Sequence, residues 1–111
     1  MEILAEDVFA QQRQAMIDQQ IRARGIVDAR VLEALFRVPR HEFVPVPLRH
    51  ESYTDHPVAI GSGQTISQPY LVAYMLQAIA IQPSDLVLEI GTGSGYATAL
   101  LAELAREVVS I

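Results

Sequence analysis

The chain has 111 residues, half of them apolar, and a formal charge of -5 at neutral pH. That length supports one modest core, and the acidic balance, with a pI near 5.0, excludes the positive surface that nucleic-acid binding requires. Cysteine is absent, which removes disulfides, thiolate nucleophiles and Cys-type zinc sites and fits a cytoplasmic setting.

A mean hydropathy of +0.22 is high for so short a chain and implies more apolar surface than it can cover alone. A further segment or a partner subunit is expected to cover the remainder. The start, Met1-Glu2-Ile3-Leu4, has an acid where a secretory leader carries bases. From His56 to Ser84 there is no Asp, Glu, Lys or Arg. Glycines and Pro69 interrupt that stretch, however, and its apolar part, Tyr70 to Ile81, falls short of the roughly 20 residues of a membrane span. A buried helix is expected there, and no membrane contact.

From about Asp7 to Arg24 the sequence lacks Gly and Pro, turns Met16, Ile17 and Ile21 toward one side, and meets Gly25 as a stop, which predicts a helix. Asp28 can cap a second helix with Val31, Leu32, Leu35 and Phe36 as its stripe and Pro39 as its end. Every basic residue is an arginine, and those between Arg22 and Arg49 are mixed with Asp28, Glu33 and Glu42, a pattern that predicts a solvated helical face. Pro39 to Pro57 holds prolines and all three histidines, so irregular structure with surface histidines is expected. His41, Glu42, His50, Glu51 and His56 could ligate a metal, but their spacing does not fit a helical His-Glu-x-x-His site, and no metal is expected.

Val58-Ala59-Ile60 predicts a short strand. Gly61 to Pro69 then reads as a loop in which Thr65 and Ser67 can cap a helix whose first turn takes Pro69. That uncharged helix should run from Tyr70 to Gln82 and stop at Pro83. Leu86 to Ile90 reads as a strand, Gly91-Thr92-Gly93-Ser94-Gly95 as a glycine loop, and the next helix carries Ala97, Leu100, Leu101 and Leu104 on one face. Val108 to Ile111 opens another strand. Strand, glycine loop, helix and strand make the first unit of a parallel α/β sheet with a right-handed crossover. The second strand would leave an open edge. With the apolar excess, that edge predicts self-association.

The run Glu89-Ile90-Gly91-Thr92-Gly93-Ser94-Gly95 is the strongest local sign of ligand binding. Glycines admit a ligand where a Cβ would collide, and the helix behind them offers unpaired N–H groups at its positive end. A nicotinamide or flavin fingerprint requires Gly or Ala at the sixth position from Gly91, where Tyr96 stands. Glycines at 91, 93 and 95 with an acid two residues ahead instead resemble motif I of the class I methyltransferases. The segment Ile60-Gly61-Ser62-Gly63-Gln64-Thr65-Ile66-Ser67-Gln68-Pro69-Tyr70 is similar to a signature of the protein-L-isoaspartate O-methyltransferases. Pro39-Arg40-His41-Glu42-Phe43-Val44-Pro45 and Tyr53-Thr54-Asp55-His56-Pro57 match that family in the same order. From about Met16 to Ile111 the chain thus resembles the amino-terminal half of these enzymes.

The resemblance implies a fold class of α/β: a helical and loop segment, residues 1–57, ahead of the start of a doubly wound, Rossmann-like S-adenosylmethionine-binding domain, residues 58–111, which stops after its second parallel strand. It implies S-adenosylmethionine as cofactor, with Gly91, Thr92, Gly93, Ser94 and Gly95 around its amino-acid part and Glu89 near its ammonium. Ser67 would be the active-site serine, with Gln64, Thr65 and Ile66 lining the reacting end. The acceptors would be isoaspartyl peptides and proteins. The acid that holds the ribose in such units stands about 20 residues past the first glycine, at or just after Ile111, so the cofactor site is expected to be incomplete and the chain to have little activity alone. A non-enzymatic, self-associating module is the alternative. No Gly-x-Ser-x-Gly elbow is present for a hydrolase, and without lysine there is neither a P-loop nor a Schiff base.

Overall fold

The computed structural model describes residues 5–111. Helix α1 (Ala5–Ala15) runs without a break into a π turn (Met16–Ile21) and a 3-10 turn (Arg22–Arg24), ending where Gly25 takes a φ of 95°. The π repeat sets residues five apart on one side, so Met16 and Ile21 join Ile17 in the core. Asp28 caps α2 (Ala29–Arg37), accepting the N–H groups of Arg30 at 2.9 Å and Val31 at 3.3 Å. The buried face of α2 is Val31, Ala34 and Leu35, while Phe36, expected in the stripe, is 48% exposed.

Two 3-10 turns, Arg40–Phe43 and Val46–Glu51, occupy the proline-rich stretch. Its histidines are not all at the surface. His50 and His56 are exposed, but His41 is buried, stacked on Phe9 with ring centroids 4.0 Å apart. Its Nδ1 lies 2.9 Å from the Tyr53 hydroxyl and its Nε2 3.3 Å from Glu6 Oε1, and Arg13 donates to the same hydroxyl at 3.0 Å. A guanidinium only donates and a carboxylate only accepts. The relay therefore runs from Arg13 to Tyr53 to His41 to Glu6, with the imidazole proton on Nε2.

The arginines also depart from a solvated face. Arg30 reaches the carbonyls of Ile81 at 2.7 Å and Leu104 at 2.6 Å, which ties α2 to the ends of the two later helices. Arg24 pairs with Asp55, which also accepts from Gln68 at 2.9 Å. Arg40 is fully buried.

Gln64-Thr65-Ile66, expected within a loop, is a strand. β1 (Val58–Gly61) and β2 (Gln64–Ile66) form an antiparallel hairpin, with Val58 opposite Ile66 and a bulge between Ala59 and Gly61. Its turn, Ser62-Gly63, has φ of 53° and 70°, the sign that two-residue hairpin turns require. Helix α3 (Pro69–Ile79) stops short of Pro83 because Ala80 goes left-handed at φ 50°. Only one side of α3 is covered: Val72, Ala73 and Leu76 are buried, whereas Leu71, Tyr74, Met75 and Ile79 are exposed. The expectation of a buried helix holds for half its circumference.

β3 (Leu86–Glu89), α4 (Tyr96–Leu104) and β4 (Glu107–Ser110) form the expected parallel unit, with Leu88 beside Val109. Residues on both sides of position 57 contribute to one core, including Ile17, Ile21, Leu35, Ala73 and Leu100. Each fully buried Leu or Ile contributes about 1.5–3 kcal/mol. Among the described residues no helix is long and apolar enough to cross a membrane.

Asp28→Ala should remove the α2 cap at a cost of about 1 kcal/mol, read as a lower urea midpoint with unchanged m-value; an unaltered midpoint would show that Gln77, which accepts from the Val27 and Asp28 N–H groups, suffices. A second test uses pH. The Arg24 hydrogen bond, followed by that of Gln68, lowers the Asp55 carboxyl from 3.8 to about 2. Because the folded value is the lower, the stabilisation is fully present above pH 3.8 and is lost as pH falls through about 2. The Tm difference between the parent chain and Asp55→Asn should be constant near neutrality and shrink over that acid window. A difference that does not change with pH contradicts the pairing.

Candidate active site

The glycine loop follows directly from β3. Gly91, Gly93 and Gly95 all have positive φ, at 95°, 56° and 89°. A Cβ on Gly91 or Gly93 would meet open space, so these two are required by backbone angle alone. A Cβ on Gly95 would meet the Phe43 ring at 3.7 Å, an ordinary contact, so this glycine too is required by its backbone angle. The parallel ladder continues past β4: Ile111 N–H donates to Glu89 at 3.0 Å, and its carbonyl accepts from Gly91 at 2.7 Å and Thr92 at 3.2 Å. Gly95 N–H closes on the Thr92 carbonyl at 3.0 Å. The Gly93 and Ser94 N–H groups are left without a backbone partner among the described residues, next to the start of α4.

Glu89, at the end of β3, accepts through Oε1 from Thr98 and, at 2.7 Å, from Ser110. Since Ser110 donates there, Thr92 is the donor in the 2.6 Å contact between the Thr92 and Ser110 hydroxyls. The carboxylate is thereby fixed through one oxygen, and Oε2 remains open to a cation such as an ammonium. Glu89, Thr92 and the loop glycines form one local constellation.

Ser67 lies between β2 and α3. It is exposed, as are Gln64 and Thr65, while Ile66 points into the core. Neither Thr65 nor Ser67 caps α3: the N-cap is Gln68, with no side-chain capping bond. The alternative of a capping role thus fails, and the Ser67 hydroxyl is uncommitted.

The two segments meet through a residue that sequence reasoning passed over. Arg40 donates through Nε to the Ser52 carbonyl at 2.6 Å and through Nη2 to the Ser67 carbonyl at 2.8 Å. Its guanidinium carbon lies 4.9 Å from the centre of the Tyr96 ring, and Tyr96 is the first residue of α4, immediately after Gly95. Phe43 packs on the other side of this junction, 5.8 Å from the Tyr96 ring. Burial lowers the Arg40 pKa from its ordinary value, and burial pushes the Tyr96 phenol up to about 12. At neutral pH the phenol is therefore uncharged beside a guanidinium that stays charged. Arg40 Nη1 and the Tyr96 hydroxyl are both buried without a well-formed hydrogen bond, although they are near enough for each to act on the other's charge.

The only signal for Arg40 in the sequence was its place in the Pro39 to Pro45 run. A cavity of about 660 Å³ between α1 and α2, bordered by Gln14, Ile17, Ile26, Val27, Leu32 and Phe36, lies apart from all these residues. The structure also gathers Glu6, His41 and Glu42, whose ligand atoms lie within 4.8 Å of one another. Sequence spacing could not show this trio, because Glu6 arrives from α1.

Residues 11–111 match the family model described as protein-L-isoaspartate(D-aspartate) O-methyltransferase. The protein-L-isoaspartate O-methyltransferase of Synechococcus sp. (strain JA-2-3B'a(2-13)) is 59% identical over 107 residues, 96% of this chain and 44% of that protein. Protein-L-isoaspartate O-methyltransferase 2 of Marinobacter nauticus is 62% identical over 99 residues, 89% of this chain and 45% of that protein. Among solved structures, a Plasmodium falciparum protein described as a protein-L-isoaspartate O-methyltransferase, in complex with S-adenosyl-L-homocysteine, superposes with a TM-score of 0.71 at 25% identity. The match covers 92% of this chain and 47% of that one. The chain spans less than half the length of the curated relatives it matches. With the family model matched from residue 11 to residue 111, and with the Rossmann-like strand, glycine loop, helix and strand in place, the chain belongs to the protein-L-isoaspartate(D-aspartate) O-methyltransferase family.

Proposed function

We propose that this chain supplies the acceptor side and the first cofactor loop of an enzyme that methylates the free carboxylate of L-isoaspartyl residues in damaged proteins, in the cytoplasm, with S-adenosylmethionine as donor. One observation carries the reading: a single buried guanidinium binds the Ser67 carbonyl and stacks on the residue that follows the glycine loop. The loop fits the cofactor. Gly91 and Gly93 leave open space, the Gly93 and Ser94 N–H groups are available, and Glu89 keeps one carboxylate oxygen for an ammonium. When bound, the cofactor supplies an electrophilic methyl on a sulfonium.

The protein's own task is then modest. A carboxylate with a pKa near ~4 is ionised at neutral pH, so no general base is required. Ser67 donates a hydrogen bond that fixes one carboxylate oxygen. The segment His56 to Ser84, which carries no charged side chain, brings no competing ion to the carboxylate and helps exclude water. Alignment and the removal of water from an anion–cation pair then provide most of the rate. The position of a ribose-holding acid, about 20 residues past Gly91, falls at or just after Ile111. The 111 residues alone should bind the cofactor weakly and turn over little.

A second reading, self-association, is favoured by the bare side of the parallel sheet. Leu86, Leu88, Ile90, Val109 and Ile111 are all more than half exposed, although parallel sheets are normally covered on both faces. A second copy could cover them.

Ser67→Ala removes a hydrogen bond to a charged group, worth about 1.5–3 kcal/mol. Turnover of an isoaspartyl peptide, or its affinity where turnover is below detection, should fall roughly ten- to hundredfold, while calorimetry shows S-adenosylmethionine affinity nearly unchanged. Equal losses in both would make Ser67 structural. Sedimentation velocity should reveal dimers or larger species, and Leu88→Lys with Val109→Lys should dissociate them. A monomeric parent chain at high concentration would defeat the second reading.

A further inference from the structure

Arg40 is the one buried cation at the junction, and nothing beside it cancels its charge. Among the described residues it forms no ion pair; its partners are two carbonyls and the face of a neutral phenol. The other charged groups near Ser67 do cancel. Arg24 and Asp55 pair with each other, Arg24 lies 5.4 Å from the centre of the Tyr70 ring, and Gln68 Nε2 donates to Asp55. Tyr53, which also faces Arg40, is held through its hydroxyl by Arg13 and His41. The Ser67 carbonyl is therefore bound to an uncompensated positive charge, in a segment, His56 to Ser84, that contains no Asp, Glu, Lys or Arg.

We infer that Arg40 is a positioning residue for the methyl acceptor: its unneutralised guanidinium, bound to the Ser67 carbonyl, attracts and seats the anionic carboxylate that the Ser67 hydroxyl holds. The inference rests on the assignment of Ser67 to the acceptor side. The charge acts from behind the backbone and does not touch the carboxylate. It favours the bound anion over water without forming an ion pair that would have to break during methyl transfer. Such an interaction strengthens acceptor binding and leaves the chemical step nearly unaltered.

A test independent of substrate is open because the chain has no cysteine. Ser67→Cys places a titratable sulfur at the position of the hydroxyl that would hold the acceptor oxygen, and its pKa can be read from the pH dependence of iodoacetamide alkylation. The thiol should titrate below the ordinary value of about 8.5 and below that of Ser62→Cys in the neighbouring hairpin turn. Adding Arg40→Met should raise the Ser67→Cys value by roughly half to one unit, a three- to tenfold loss of thiolate at neutral pH, as expected for a unit charge about 7 Å away in a medium of dielectric about 40 to 80. Arg40→Lys should restore most of the shift. The α3 N-terminus also favours a thiolate, but that contribution is common to the parent and Arg40→Met backgrounds.

An unchanged thiol pKa in a folded Arg40→Met variant would overturn the inference. If Arg40→Met does not fold, Arg40→Gln, which keeps two N–H donors for the Ser52 and Ser67 carbonyls but carries no charge, takes its place: a raised Ser67→Cys value would support the inference and an unchanged one would overturn it. Failure of the methyl-acceptor assignment would look different: isoaspartyl peptide would not bind, while the Arg40-dependent thiol shift persisted.

Discussion

Removing a guanidinium from water costs several kcal/mol unless its donors are satisfied, and the fold around the site meets that condition for Arg40 at Nε and Nη2, leaving only Nη1 without an acceptor among the described residues. Two carbonyls from separate segments and one aromatic face converge on it. Moving either carbonyl away would leave a further buried donor without an acceptor. The planar fork is what makes this possible, since its donors diverge in fixed directions while a lysine ammonium offers one compact point. The consequence reaches past stability. Ser52, Ser67 and Tyr96 are tied to one group, and the Ser67 backbone keeps its place relative to the start of α4.

The helices and the parallel unit were legible because their signals are periodic and punctuated. Gly25 ends the first helical segment, Asp28 caps α2 through its side chain, and the three glycines after Glu89 take the angles that their residue type suggests. What was not legible depended on contacts across sequence. Gln64-Thr65-Ile66 is a strand only because Val58 and Ala59 pair with it. Ser62 tolerates its positive φ because the hairpin turn demands it. Arg40 and His41 looked like members of a solvated, mixed-charge stretch. Their burial follows from carbonyls 12 and 27 residues away and from Tyr53 and Phe9, partners that no local pattern encodes. Resemblance reached Ser67 and the loop, but not the residue that joins them.

The two halves of the site differ in how firmly they are held. The proposed acceptor side rests on fully buried groups, with Arg40, His41, Ser52 and Tyr96 at or near zero exposure. The cofactor side hangs from a two-stranded sheet whose outer face is bare at Leu86, Leu88, Ile90 and Val109. Regions with few buried contacts open most readily, so the glycine loop belongs to the less stable part of the molecule and Ser67 to the more stable part.

That asymmetry bears on how affinity for the two ligands should depend on context. Whatever covers the outer face of β3 and β4 stabilises the loop before any ligand arrives, and a ligand then loses less free energy in ordering it. Cofactor affinity should therefore respond strongly to the covering of that face. The placement of the Ser67 segment, tied to a fully buried guanidinium, should respond weakly. The chemistry needs both, because an oxygen held in line gains nothing unless the methyl it attacks is held as well. On the proposed reading the weaker half of the site is accordingly the loop on the sheet, where the described residues cover one another least, and not the Ser67 segment.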